Sequence, residues 1–344
     1  MDLTFIYQVE HQAAFSSLIV LYFFLAGLSA GLFLLSSLST VFGLEKFKAI
    51  AKPSAAMALA TLIPGLLALV IDLGQPLRAL TLFFRVNPLS VMSWGSFILL
   101  IYGVVALVYT YFLWKDNSAR VKSWGKVGVI FAAALGLYTG FLLAAVPGRP
   151  LWNSALLPVL FLISGAVAAL SLMSMAQGFF PNAVLLRGDG AEEAMHSLKV
   201  GIVTLEFLLL VFHLLAVVFP SEAGRAVVQN LLSGTKSLSF LGVQVGIGMI
   251  VPLLILCFSK RSASALGISG LLSLIGVYAL RYNFVFGGEE LPQAGTFLYR
   301  FEGGSAWIST VVLLVITAIL IYVIPRIFNA FTGIKVSSNS GKAV

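Results

Sequence analysis

The chain has 344 residues, of which 60% are hydrophobic and 10% charged, with a formal net charge of +8 and a mean hydropathy of +1.03. Soluble domains carry about 25% charged residues, so this composition excludes an ordinary soluble enzyme and describes a polytopic membrane protein. The positive balance is not read as nucleic-acid binding, because membrane proteins collect Lys and Arg on their cytoplasmic loops.

A bilayer-crossing helix needs about 20 apolar residues. Nine runs meet that length, at 15–42, 53–72, 90–114, 124–146, 155–179, 199–219, 238–258, 263–282 and 306–328. The expected fold is therefore an all-α bundle of about nine spans, since barrel strands would alternate over about ten residues. Met1–Ala14 carries Asp2, Glu10 and His11 and no basic stretch; it does not read as a cleavable signal peptide. The tail Val336–Val344 reads as disordered. With the N-terminus outside, the inner segments hold 14 of the 21 Lys and Arg residues and the outer segments 7. That asymmetry points to an N-outside, C-inside topology. Gly27/Gly31, Gly136/Gly140 and Gly242/Gly246 have the spacing that lets helices approach closely.

A polar interruption broken by Pro and Gly, Asp72–Ser96, stands between the second and third spans. Asp72 and Arg78 stand there beside sequence built for lipid, and an ionisable residue at such a boundary marks a candidate site. Within the sixth span, Glu206 and His213 are seven residues apart, about two turns, so both face one side. Charged forms there cost about 2.5–3.5 kcal/mol or more each. They are read either as a proton relay or as a buried polar pair that fixes packing. Trp114, Trp124, Trp152 and Tyr322 fit the aromatic belts at membrane interfaces. Tyr138 sits deeper, about nine residues before Pro147. A phenol at that depth needs a partner, and a quinone carbonyl would supply one.

The redox options are narrowed by what the chain lacks. It has one cysteine, Cys257, whereas iron–sulfur clusters need several thiolates; no cluster of its own is expected. Membrane haem usually takes two axial histidines on facing helices. His11 and His196 fall near opposite faces and leave His213 alone, so no haem is expected. No pair of acidic or histidine residues at ligand spacing lies inside a span, and no metal site is expected.

Five stretches carry a resemblance: YFFLAGLSAG at Tyr22–Gly31, DLGQPLR at Asp72–Arg78, NPLSVMSWGS at Asn87–Ser96, YTGFLLA at Tyr138–Ala144 and GRPLWN at Gly148–Asn153, with Arg281-Tyr282-Asn283 at the end of the eighth span. In this order the chain resembles the NrfD/PsrC family, the integral membrane subunits of polysulfide-reductase-type respiratory complexes. The likeness is strongest over residues 15–165. It implies a subunit of the cytoplasmic (inner) membrane of a bacterium or archaeon that anchors an iron–sulfur, ferredoxin-like partner, often with a molybdopterin catalytic subunit. It implies electron exchange with menaquinone or another quinone in a first four-helix bundle near the outer face, and no cofactor held by the chain itself.

In relatives the quinone site uses a polar residue and a histidine on the first helix and a tyrosine on the fourth. The tyrosine carries over to Tyr138; the histidine position falls at Tyr22 and the polar one near Ile19, where this chain departs. The expected organisation is a quinone-binding bundle over 1–154, a second bundle over 155–330 and a tail over 331–344, the ninth span being a C-terminal addition. Tyr22, Asp72, Arg78 and Tyr138 are the expected quinone-site residues, Glu206 and His213 the relay, and Arg149, Glu289 and Glu290 the candidates for partner docking. A secondary transporter with an intramembrane Glu/His proton site is the rival reading, although no inverted repeat is visible.

Overall fold

The computed structural model describes residues 15–74, 84, 87, 90–146, 148–179, 191–259, 262–290 and 307–331. Within them the chain is helical, as lipid requires of a backbone that must satisfy its own hydrogen bonds. In chain order the helices are α1 (Ser17–Thr40), α2 (Lys48–Asp72), α3 (Val91–Trp114), α4 (Ser118–Ala144), α5 (Leu156–Phe179), α6 (Ala191–Val218), α7 (Glu222–Ser233), α8 (Leu238–Phe258), α9 (Ala263–Glu290) and α10 (Trp307–Phe331). All but the short α7 are long and apolar enough to cross a membrane, which makes nine spans among the described residues. We call the face at which α1 begins the near face and the opposite one the far face. Arg78 and His11 lie outside the described residues, as does the 332–344 tail.

Two spans run eight residues past an end that hydropathy indicated. α6 starts at Ala191 rather than 199, and α9 runs to Glu290 rather than 282. The added turns carry polar residues whose partners come from other helices. Lys199 and His196 are therefore inside a helix and not in a loop: Lys199 Nζ donates to Ser269 Oγ at 2.9 Å, and His196 Nε2 lies 2.9 Å from the Leu256 carbonyl. α7 is an amphipathic helix between two spans that hydropathy alone passes over; it turns Val227, Val228 and Leu231 inward. The first part of α8, Leu238–Ile250, is wound as a π-helix.

α1 is the axis of the molecule. Every side chain from Ser17 to Phe33 is buried, against α2, α4, α5 and α9. The approach to α5 is backbone to backbone: a Cβ on Gly31 would fall 2.2 Å from the Gly165 carbonyl oxygen, and one on Gly165 would fall 2.6 Å from that of Gly27. Gly136 and Gly140 likewise seat α4 on Leu162 and Pro158 of α5. The Gly242/Gly246 pair is not used this way. Gly248 meets Gly276 of α9 instead, where an added Cβ would sit 2.3 Å from Cα.

The last span departs from chain order. α10 packs against α2, on the first half of the molecule, where Trp114 Nε1 donates to Asn329 Oδ1 at 2.9 Å. Trp114 and Trp152 are enclosed rather than placed in a belt, at 1% and 2% exposure. Each indole N–H has a partner inside the protein, and this allows the ring to be buried. Tyr322 remains exposed, as a belt residue would be.

Candidate functional site

The near-face end of the first half is organised by helix ends. Ser16 caps α1, its Oγ accepting from Leu18 N–H at 3.0 Å, and the same hydroxyl donates to Asp72 Oδ1. Asp72 is the last residue of α2 and is half-buried. Just beyond it Gly74 has φ +63°, the left-handed conformation that closes a helix and that glycine adopts without strain. One hydroxyl thus joins the start of α1 to the end of α2 and holds the carboxylate in place.

Below this junction α1 and α3 run in a fixed register of seven residues. Ser36 Oγ meets Tyr109 OH at 2.8 Å and Ser29 Oγ meets Tyr102 OH at 2.9 Å. Both serines also donate to α2 carbonyls, Ala51 and Ala58, at 2.7 Å. One step further towards the near face the same register pairs Tyr22 with Gly95. There the pattern inverts: the tyrosine is on α1 and α3 has no side chain. Tyr138 of α4 fills the space, so tightly that a Cβ on Gly95 would sit 1.9 Å from its Cζ and 2.0 Å from its hydroxyl oxygen. Tyr22 is close enough to Tyr138 to interact with it electrostatically. Tyr22 is 2% exposed, and its hydroxyl has no hydrogen-bond partner among the described residues.

The structure therefore sets Tyr22 of α1 and Tyr138 of α4 within electrostatic reach of each other, with Asp72 at the near-face end of α2. Gly95 and Ser16 were not singled out from the sequence. The signal for Gly95 was there, in the seven-residue steps 22/29/36 and 95/102/109; Ser16 needs the fold, because 56 residues separate it from Asp72.

Glu289 is corrected in position. It belongs to the last turns of α9, not to a loop, and is fully buried. Its Oε1 accepts from Phe15 N–H at 2.8 Å, so it holds the chain entering α1. Arg149 joins the same knot: its Nη1 donates to the Glu289 carbonyl at 2.6 Å and its guanidinium stands 5.9 Å from the Trp152 ring centre. The side chain of Glu290 lies outside the described residues.

Glu206 and His213 share one buried face of α6; Lys199 of the same helix and Arg281 of α9 are fully buried as well, and of these Lys199 is the one the structure adds. His213 Nε2 lies 3.1 Å from the Leu151 carbonyl, and its ring stands 5.2 Å from that of Phe284. Arg281 Nη2 donates to the Phe161 carbonyl at 2.9 Å, and its guanidinium lies 3.8 Å over the Phe161 ring. Among the described residues no group of three or more His, Cys, Asp or Glu is arranged to hold a metal ion.

Residues 7–292, most of the chain, match the family described as "Polysulphide reductase, NrfD". The chain belongs to the NrfD family. The match ends before α10, so the ninth span lies beyond the family's shared region. A selenate reductase subunit from Mesobacillus selenatarsenatis is 28% identical over 316 residues, covering 80% of this chain and 74% of that protein. A polysulfide reductase chain from Wolinella succinogenes is 30% identical over 298 residues, covering 79% and 93%. The Hdr-like menaquinol oxidoreductase integral membrane subunit of Archaeoglobus fulgidus is 28% identical over 147 residues, covering 43% and 37%. The expectation of an NrfD-family membrane subunit is thus met over the whole first eight spans.

Proposed function

We propose that this NrfD-family protein is the quinone-reacting membrane subunit of a respiratory oxidoreductase, oxidising menaquinol or another quinol in its first helical bundle, over residues 1–154, and passing the electrons to an iron–sulfur partner on the near face. The observation that carries the reading is two buried phenols in the near-face part of the bundle, Tyr138 wedged on Gly95 and Tyr22 within electrostatic reach of it, the latter with no hydrogen-bond partner among the described residues. A buried donor without an acceptor is costly, about 1–3 kcal/mol, and a quinone oxygen is an acceptor of the right kind. The names of relatives support the same class, since one is a menaquinol oxidoreductase subunit and two are parts of reductases.

The residues divide the work by position. Tyr22 OH hydrogen-bonds a ring oxygen, and Tyr138, wedged on Gly95, fixes the head group against α3. Asp72 takes up a proton released at the near face, its carboxylate oriented by the Ser16 hydroxyl. Arg78 stands six residues beyond Asp72 and supplies positive charge to a developing oxyanion. A bound quinol supplies two electrons and two protons. The electrons go to the partner's cluster, docked beside Arg149 and the chain segments that follow Asp72 and Glu290; a molybdopterin subunit beyond it carries the terminal chemistry. Glu289, buried under Phe15, serves the fold rather than docking. The near face is then the outer face of the cytoplasmic membrane, as the Lys/Arg distribution indicates.

Purification of the tagged chain from its native membrane in mild detergent tests the proposal. The expected eluate contains an iron–sulfur protein whose clusters a quinol analogue reduces, and Tyr138→Phe lowers that rate with the complex intact. A chain that purifies alone and passes no electrons overturns the proposal, as does a Tyr138→Phe and Asp72→Asn pair with full activity.

A further inference from the structure

The far face carries a cationic patch that neither quinol chemistry nor helix packing uses. It stands at the turn between α3 and α4, where Lys115, Arg120, Lys122 and Lys126 are all exposed. The one acid in that stretch, Asp116, has φ +50° and is bonded to Lys52 of α2 at 2.7 Å. Glu45, in the turn between α1 and α2, lies 3.7 Å from Lys48. Both acids are thus engaged by lysines of α2, and among the described residues no carboxylate pairs with the four cations of the patch.

Two of these cations are seated on aromatic rings. Lys115 Nζ stands 5.4 Å from the centre of the Tyr111 ring, and the Arg120 guanidinium 4.9 Å from that of Phe112. The two rings meet edge to face, 5.4 Å between centres. Lys115, at the end of α3, and Arg120, of α4, therefore share one aromatic platform. Towards the membrane interior the surface becomes apolar. Leu107 and Val104 of α3 are exposed, four and seven residues before Tyr111, and Val127 and Ile130 of α4 are exposed, seven and ten residues beyond Arg120. Residues at such spacings stay on one side of a helix. The preference of cytoplasmic loops for Lys and Arg explains cations at this face. It does not explain why two of them, from different helices, lie back on touching rings at the edge of an apolar surface.

We propose that this platform binds an anionic phospholipid of the far-face leaflet. Its phosphate lies between Lys115 and Arg120, with the planar guanidinium donating to two phosphate oxygens and the ammonium acting as a point charge. The glycerol region rests on Tyr111 and Phe112, and the acyl chains follow Leu107 and Val104 on α3 and Val127 and Ile130 on α4. Basic sites beside membrane helices take anionic head groups in this way. Lys122 and Lys126 add to the attraction. They also set the selectivity, because a zwitterionic head group brings its own cation into a patch that has no acid left to receive it. The lipid fastens the α3–α4 hairpin at its far end, as Tyr138 on Gly95 does at the near end. The site is independent of the quinol reading.

The test uses the full-length protein, purified in detergent and stripped of lipid, with native mass spectrometry and thermal unfolding as readouts. Phosphatidylglycerol is expected to bind and to raise the unfolding temperature, and phosphatidylcholine to bind at least tenfold more weakly. Lys115→Gln with Arg120→Gln is expected to weaken phosphatidylglycerol binding at least tenfold. Lys46→Gln with Arg225→Gln removes the same charge elsewhere on the surface and is expected to change it less than twofold. A photoactivatable phosphatidylglycerol is expected to label the wild type between Val104 and Ile130, a readout that needs no variant to fold. Equal binding of the two lipids, a Lys115/Arg120 double variant within twofold of the wild type, or labelling confined to other helices overturns the site. So does inorganic phosphate that reproduces the whole thermal shift, since the ligand would then be a free anion.

Discussion

The two halves of this molecule solve the burial of polar groups in opposite ways. In the first, the interior groups along α1 and α3 are hydroxyls, and each rung closes: Ser29 with Tyr102 and the Ala58 carbonyl, Ser36 with Tyr109, Thr40 and the Ala51 carbonyl. Hydroxyls donate and accept at once, so a serine and a tyrosine complete each other without charge. In the second, the interior groups are Lys199, Glu206, His213 and Arg281, and several of their atoms stay open. A closed ladder is rigid and inert. An open row of charged groups is costly to bury and is tolerated where it does something. The near-face step of this ladder does not close: Tyr22, beside Tyr138, has no hydrogen-bond partner among the described residues, and that is where we place the quinone.

The contrast is broken most severely at Arg281. Removing one partner of a buried charge pair leaves the other uncompensated, at about 3–5 kcal/mol. Arg281 and Glu206 interact electrostatically, but no direct ion pair joins them among the described residues, so Arg281→Met is expected to lower the thermal stability of the purified protein by at most that much, and the double variant Arg281→Met with Glu206→Leu to recover most of the loss. A single-variant loss under about 1 kcal/mol would mean that Glu206 and Arg281 do not sense one another. The first half has no pair for which such a rescue is expected.

Next in size is Gly95→Ala. The new methyl cannot coexist with Tyr138, whose Cζ would lie 1.9 Å away, so the phenol must move. Displacing a positioning group by about 1 Å can cost about a hundredfold in rate. Quinol turnover is expected to fall by that order while the iron–sulfur partner still co-purifies. Gly103→Ala, at an open position of the same helix where the nearest atom is 3.6 Å away, is the control and is expected to change little.

What could be read in advance follows the same division. Hydropathy found all nine spans because lipid imposes length and apolarity on each one separately. It lost the start of α6 and the end of α9 because Lys199, Asn283 and Glu289 look like loop residues until Ser269, Gln244 and Phe15 are brought to them. Those partners are far away in the chain, and no local pattern announces them. Tyr138 was legible from its depth, and Glu206 with His213 from their spacing. Lys199 continues the same seven-residue step and was missed because, at the first residue of the expected span, it reads as one of the charges that end a span. Ser29, Ser36, Tyr102 and Tyr109 were passed over for the opposite reason, since hydroxyls barely disturb an apolar run.

A single rung of the ladder gives a smaller effect. Ser36→Ala leaves Tyr109 with Thr40 alone and is expected to cost about 1 kcal/mol, within the usual range for one buried hydrogen bond. Adding Tyr109→Phe should bring little further loss, since both partners are then apolar. Chemical-denaturant or thermal unfolding of the two variants measures this. Strict additivity would show that the rung is not a unit.

The smallest expected effect concerns α10, which the family's shared region does not include. Its polar ties to the first half are the Ser17–Thr310 hydroxyl contact at 3.2 Å towards the near face and the Trp114–Asn329 hydrogen bond at the far face, the latter supported by Phe328 against the indole at 5.1 Å between ring centres. Asn329→Ala removes an acceptor from an enclosed N–H and is expected to cost about 1 kcal/mol, with quinol turnover unchanged. The site proposed for turnover is at the near face, whereas this bond joins the far-face ends of α3 and α10, two helices that contribute no charged group to the second half's buried interior. A loss of turnover in Asn329→Ala would therefore argue that α10 is not merely an added clamp on α2 but sets the position of the helices that hold Tyr22 and Tyr138.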